Sequence, residues 1–320
     1  MPTSRPLPPL NPVSEWLRVI PLLLLILLVW GLEMSAAGAS LDFPVASYLA
    51  VHSAFEVAAV VLAAISFGLL WMAPGSAHRS ANGVLAASLA AAAGLDFLHL
   101  LSYNGMPPLV TPAGVEKGIA FWLAGRTMMT VGLLAMAFLP AQREISRARR
   151  RGVLAVAMAV AGLCAWVILY HPTWLPVTHV AGQGLTGIKV GAELALIGLL
   201  LVTGWRLDRR ARRDNDVPMA ALATASVLSA AAELCFATYF SASDVLNGLG
   251  HLAKILAYWN IVRATYLMAV SQPLASVGGL ADALQATLSP ALLCRPSGQI
   301  RWINDAMSRA TGYALADLQG

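Results

Sequence analysis

The chain has 320 residues, 58% of them hydrophobic and only 12% charged, with a mean hydropathy of +0.69 and a formal net charge of +5. That is too apolar for a soluble globular protein of this size, and several apolar runs reach the roughly 20 residues needed to cross a bilayer core. The alternation of a membrane β-barrel is absent, and the basic residues gather in short segments between apolar runs, as the positive-inside rule requires, so no nucleic-acid partner is expected.

Taken in order, residues 1–14 are proline-rich and polar and read as a disordered cytoplasmic tail. The first span, about 16–36, is too long and lacks a good small-residue cleavage site for a signal peptide, so it reads as a retained helix. A second span, about 48–73, carries His52 and Glu56, and the loop after it contains His78 and Arg79. The third, about 84–103, carries Asp96, His99 and Tyr103. The fourth, about 117–139, carries Trp122 and Arg126 and is followed by a loop with Arg143, Arg147 and Arg149–Arg151. The fifth, about 153–170, leads into a loop with His171, Trp174 and His179. The sixth, about 187–205, carries Lys189 and Glu193 and precedes a second Arg-rich loop, Arg206–Arg213. The seventh, about 217–240, carries Glu233, and the eighth, about 249–270, carries His251, Lys254, Tyr258 and Arg263.

Eight spans put both Arg-rich loops on one side and both termini with them, in the cytoplasm, whereas seven would place one Arg cluster outside. The fold class is therefore an all-α polytopic membrane protein of about eight transmembrane helices, multi-pass in an inner membrane, with a short α+β segment after it. Residues 271–287 read as an amphipathic linker helix. Beyond residue 288, a hairpin is expected across the Pro296-Ser297-Gly298 turn, then a helix from Asp305.

With this topology His52, Glu56, Asp96, His99, Glu193, Glu233, His251 and Lys254 lie in the outer half of the bilayer, and Arg126 nearer the middle. Ionisable side chains at that depth are costly unless paired or functional. His52 and Glu56, Asp96 and His99, Lys189 and Glu193, and Lys254 and Tyr258 are spaced to share a helix face. His52, Glu56, Asp96, His99 and His251 are the candidate ligand or metal residues, supported by Tyr103, Arg126, Glu193, Glu233, Lys254 and Tyr258. Three chemistries fit. Imidazoles with carboxylates bind a transition metal, histidines on separate helices ligate haem, and a polar pocket admits a small ligand, proton or redox carrier. The bland alternative for Glu193 or Glu233 alone is an interhelical hydrogen bond. For Lys189 and Lys254 it is snorkelling to the interface. The tryptophans, Trp122 included, read as an interfacial belt. Cys164, Cys235 and Cys294 have no metal-binding spacing. No glycine-rich nucleotide loop, hydrolase elbow or metalloprotease helix is visible, so no catalytic residue is assigned.

Four segments occur in a telling order: His52-Ser53-Ala54-Phe55-Glu56, Asp96-Phe97-Leu98-His99 with Tyr103-Asn104-Gly105-Met106, Phe121-Trp122-Leu123-Ala124-Gly125-Arg126, and Gly250-His251 through Tyr258. Over about 15–270 the chain resembles the third class of bacterial membrane-associated sensor (MASE) domain. The resemblance implies a multi-span input module joined in cis to histidine kinases, diguanylate cyclases or cyclic-di-GMP phosphodiesterases, often through a PAS domain. Gly298 to Asn304, Thr311-Gly312-Tyr313 and Leu318-Gln319-Gly320 resemble the start of a PAS domain, which needs more residues than are present, so a longer signalling protein is expected. The implied division is 1–14 tail, 15–270 sensor, 271–287 signalling linker and 288–320 incomplete PAS domain. By family analogy the module is a homodimer in the lipid bilayer. The rival function is a transporter or a haem or metal oxidoreductase using the same polar layer; repeat halves and two-haem spacing, which those would favour, are not evident.

Overall fold

The computed structural model describes residues 11–35, 48–73, 79–140, 143–238 and 244–318. Among these, eight helices are long and apolar enough to cross a membrane. They are α1 (Pro12–Ser35), α2 (Tyr48–Met72), α3 (Ser80–Ser102), α4 (Val115–Phe138), α5 (Arg147–Tyr170), α6 (Gly187–Asp214), α7 (Val217–Thr238) and α8 (Val245–Tyr266). The chain divides into two units, Met1–Ala269 and Val270–Gly320.

In the first unit the helices alternate in direction. Contacts at one end fix this. Glu15 at the start of α1 pairs with Arg263 near the end of α8, and Trp16 Nε1 donates to Asp208 Oδ1 of α6 at 2.7 Å. This end also holds the arginines, which satisfy the carbonyls that a helix C-terminus leaves without partners. Arg206 and Arg210 of α6 donate to Ala137 O and Met136 O of α4 at 3.0 and 3.2 Å. Arg150 of α5 reaches Trp71 O of α2 and lies 3.9 Å over the Trp71 ring.

Two segments expected as loops are helix. Arg147–Arg151 form the first turns of α5, with Ser146 Oγ accepting from Arg149 N, and Arg206–Arg213 continue α6 to Asp214. Arginine is a good helix former, and cations in the last turn of α6 complement the helix dipole. The charge pattern marks where the membrane ends, and the helix runs past it. Helix α1 likewise starts at Pro12, inside the expected disordered tail. Residues 1–10, His78, Gln319 and Gly320 lie outside the described residues.

Small residues set the packing. Helix α7 is buried over most of its length, including the run Met219–Ser226, and α3 buries the alanine-rich stretch Leu85–Leu89. Ala, Ser and Gly let backbones approach closely where lipid offers no hydrophobic drive for association. A methyl group on Gly132 of α4 would stand 2.9 Å from Ser88 Cβ and 3.0 Å from Leu85 Cδ1 of α3. The long apolar side chains instead face outward: Leu24 and Leu28 of α1, and Val156 and Leu163 of α5, are exposed on the bundle's outer surface. At the end opposite the arginines, a short hairpin joins α5 to α6, with β1 (His179–Val180) pairing antiparallel to β2 (Gly184–Leu185). Its turn requires φ of +78° at Gly182 and +87° at Gly184, values that favour glycine.

In the second unit α9 (Gln272–Ala286) precedes β3 (Leu292–Cys294) and β4 (Ile300–Ile303), an antiparallel hairpin, then α10 (Asp305–Thr311) and α11 (Leu315–Leu318). The expected turn is present, with Gly298 at φ +86°. Asn304 ties the unit together: its Oδ1 accepts from Ala291 N and Met307 N at 2.9 Å each, and its Nδ2 donates to Ser289 O at 2.9 Å.

Replacing Gly132 by Ala forces α3 and α4 apart and should cost about 1–3 kcal/mol. Gly94→Ala meets nothing within 4 Å and should be neutral or slightly stabilising. Thermal unfolding of the detergent-purified variants checks both.

Candidate functional site

The ionisable residues of α2, α3, α4 and α8 meet in one buried network. Its deeper layer is built on Asp96, which is fully buried. Arg126 Nη2 of α4 donates to Asp96 Oδ2 and also to Tyr258 Oη at 2.7 Å, and Tyr258 Oη donates to Asp96 Oδ2 at 3.1 Å. Lys254 Nζ lies 3.7 Å from the same carboxylate oxygen and 2.6 Å from Glu56 Oε2. Arg126 therefore partners Asp96, and Lys254, 2% exposed, turns inward rather than snorkelling. Charges at this depth persist because each is matched and hydrogen-bonded.

The fold makes specific room for this layer. A methyl group on Gly125 would come within 2.6 Å of Asp96 Oδ1, so only glycine lets the carboxylate lie against α4. Arg126 and Lys254 also face the Trp122 ring, at 4.8 and 4.5 Å from its centroid. Trp122 is not part of an interfacial belt. It is buried, its ring meets Phe236 edge-on at 4.6 Å, and its Nε1 donates to Glu233 Oε2 at 3.3 Å. An aromatic residue near the start of a span reads as a belt residue from sequence, and its inward facing depends on the neighbouring helices.

Above this layer three imidazoles converge from three helices. His52 of α2 stacks on Tyr103 at 3.6 Å, and meets His99 of α3 at 5.4 Å and His251 of α8 at 4.9 Å, both edge to face. His99 Nδ1 lies 2.8 Å from Gly118 O. A carbonyl only accepts, so Nδ1 carries the proton, and in the neutral ring Nε2 keeps its lone pair. His251 Nδ1 lies 3.2 Å from Glu56 Oε1. His52, Glu56 and His99 each offer one ligand atom, all within 4.8 Å of one another. The i, i+4 and i, i+3 spacings do put these residues on inward faces. The ion-pair and hydrogen-bond partners of Glu56 and His99, however, come from other helices.

The three histidines line a cavity of about 800 Å³. The β1–β2 hairpin supplies part of its wall through His179, Gln183 and Gly184, and Tyr48, Asn247 and Phe236 add to it. Tyr48 Oη donates to Asn247 Oδ1 at 2.7 Å. Lys189 and Glu193 of α6 also reach the cavity, 2.7 Å apart, and Lys189 Nζ donates to Phe236 O. Glu233 lies behind Trp122 and does not line it. His171, by contrast, stacks on Trp174 at 4.2 Å outside the cavity.

Removing one member of the Asp96–Arg126 pair leaves a buried charge without its main partner, which costs about 3–5 kcal/mol. Arg126→Met should lower unfolding stability by that order, and the double variant Asp96→Leu with Arg126→Met should lose less than the single one. Chemical unfolding in detergent followed by tryptophan fluorescence reads both.

No curated protein and no solved structure matches the chain. A family model described as MASE3, membrane-associated sensor domain, matches residues 43–273. The matched segment contains α2 to α8, and with them the chamber residues named above; α1 falls before it. A multi-pass helical bundle with this match over most of its length belongs to the MASE3 family of membrane-associated sensor domains.

Proposed function

We propose that the chain is the sensory input module of a bacterial signal-transduction protein, and that the signal is perceived in the histidine-lined chamber. The observation that carries this reading is the convergence of His52, His99 and His251 from α2, α3 and α8 on one cavity, directly above the Asp96–Arg126–Tyr258–Lys254 network. A ligand that changes the imidazole layer alters the polar contacts that register α8 against α2, α3 and α4. Two-state repacking of that kind is the physical form a membrane signal takes. In this reading the change passes from α8 into the helix of residues 271–287. From there it reaches a PAS-type domain beginning near residue 288 and an output such as a histidine kinase, diguanylate cyclase or phosphodiesterase. The Asn304-centred hairpin and the Gly298 turn support the PAS assignment.

The chamber end faces outward and the arginine end faces the cytoplasm, in an inner membrane, as the placement of the arginines favours. In a cysteine-free background, Gln183→Cys should react with a membrane-impermeant maleimide in cells whose outer membrane has been made permeable, and Arg213→Cys should react only after lysis. The reverse pattern would invert the topology.

With a diguanylate cyclase joined after the second unit, Asp96→Asn and Arg126→Gln should each shift cyclic-di-GMP output severalfold in inserted, stably expressed protein. Output that ignores both substitutions would separate the chamber from signalling.

A further inference from the structure

The imidazoles of the chamber and the Glu56 carboxylate beside them hold donor atoms that the fold leaves unused. Glu56 Oε2 is engaged by Lys254, Glu56 Oε1 faces only His251 Nδ1, 3.2 Å away, and His52 Nδ1 is buried without a hydrogen bond. These residues are at most 3% exposed. Buried polar atoms are almost always satisfied, so an orphan imidazole nitrogen beside a partly engaged carboxylate calls for a missing partner. His99 adds a fourth donor, because its Nδ1–H bond to Gly118 O leaves Nε2 as the free lone pair. A histidine oriented through its far nitrogen by a backbone carbonyl is the usual support of a metal ligand.

We propose that the chamber binds one divalent transition-metal ion of the zinc class, held by His52, Glu56 and His99 and flanked by His251. The assignment rests on the reading of the chamber as the sensory site and gives its ligand a chemical class. Two imidazoles and a carboxylate suit a borderline cation, and the absence of thiolate from the cluster disfavours softer ions. The ligand atoms lie within 4.8 Å of one another. Around a tetrahedral ion with bonds of about 2.0–2.1 Å they would draw in to roughly 3.4 Å. The cluster suits an ion better than a haem, since Tyr103 stacks on His52 at 3.6 Å and His99 meets the same ring at 5.4 Å. That leaves no flat slot for a porphyrin between the imidazoles. Binding through Glu56 Oε1 would replace its 3.2 Å contact with His251 Nδ1, which links the ion to α8.

The test uses the full chain in detergent, stripped with a chelator and titrated with Zn²⁺ alone. Wild type should take up one ion per chain. His52→Ala and His99→Ala should weaken uptake by more than about 100-fold, beyond what loss of a hydrogen bond to a ligand costs, and His171→Ala should leave it unchanged. Because His52→Ala opens a hole beside Tyr103 and can impair folding, Co²⁺ on the wild type gives an independent reading. Visible ligand-field bands bleached by Zn²⁺ support the site. No saturable uptake and no bands overturn it, as does uptake that all three variants retain. Absent uptake with output that still depends on Asp96 and Arg126 overturns the metal site and upholds the sensory chamber. Metal bound through His52 and His99 with output indifferent to it upholds the site and overturns the chamber's sensory role.

Discussion

Burying charge in a low-dielectric bundle is the constraint on which this structure depends. Asp96, Arg126, Lys254 and Glu56 come from four different helices, and each is tolerable only where the others stand. An isolated ion at that depth costs several kcal/mol, so α2, α3, α4 and α8 cannot drift apart independently. Tyr258 completes the set by accepting from Arg126 and donating to Asp96. Close packing serves the same end: Gly125 brings the Asp96 carboxylate against α4, and Gly132 brings the backbones of α3 and α4 together. The interior is thus a polar lock inside a shell of small residues, while bulky apolar side chains face the lipid.

Much of that lock was legible in the amino-acid sequence, for a physical reason. In an apolar span an ionisable residue is conspicuous, so His52, Glu56, Asp96, His99, His251 and Lys254 stand out without knowledge of their neighbours. The count of helices was legible too, since hydropathy and arginine placement act along the chain. What stayed hidden depends on contacts across helices. Spacing pairs His52 with Glu56 and Asp96 with His99, yet the ion pairs join Glu56 to Lys254 and Asp96 to Arg126. Trp122 resembles a belt residue until Phe236 and Glu233 are seen beside it. Gly125 has no side chain to announce itself. The β1–β2 hairpin is too short for any periodicity to reveal.

The helix ends teach a related lesson. The charge of Arg147–Arg151 and Arg206–Arg213 signals water and so suggests loops, yet both are helical. Polarity reports the solvent around a segment, whereas backbone conformation follows propensity and capping. The carbonyls at the end of α4 accept from Arg206 and Arg210, so the charged extension of α6 also closes its neighbour.

The pairing inside the bundle bears on how it meets the transmembrane field. Arg126, Lys254 and Lys189 each lie against a carboxylate. A voltage sensor works by carrying unbalanced charge through the field, at about 2.3 kcal/mol per charge per 100 mV. A cation and a carboxylate that shift together carry none. The transmembrane potential therefore has little purchase on this bundle, and depolarisation would leave it nearly still.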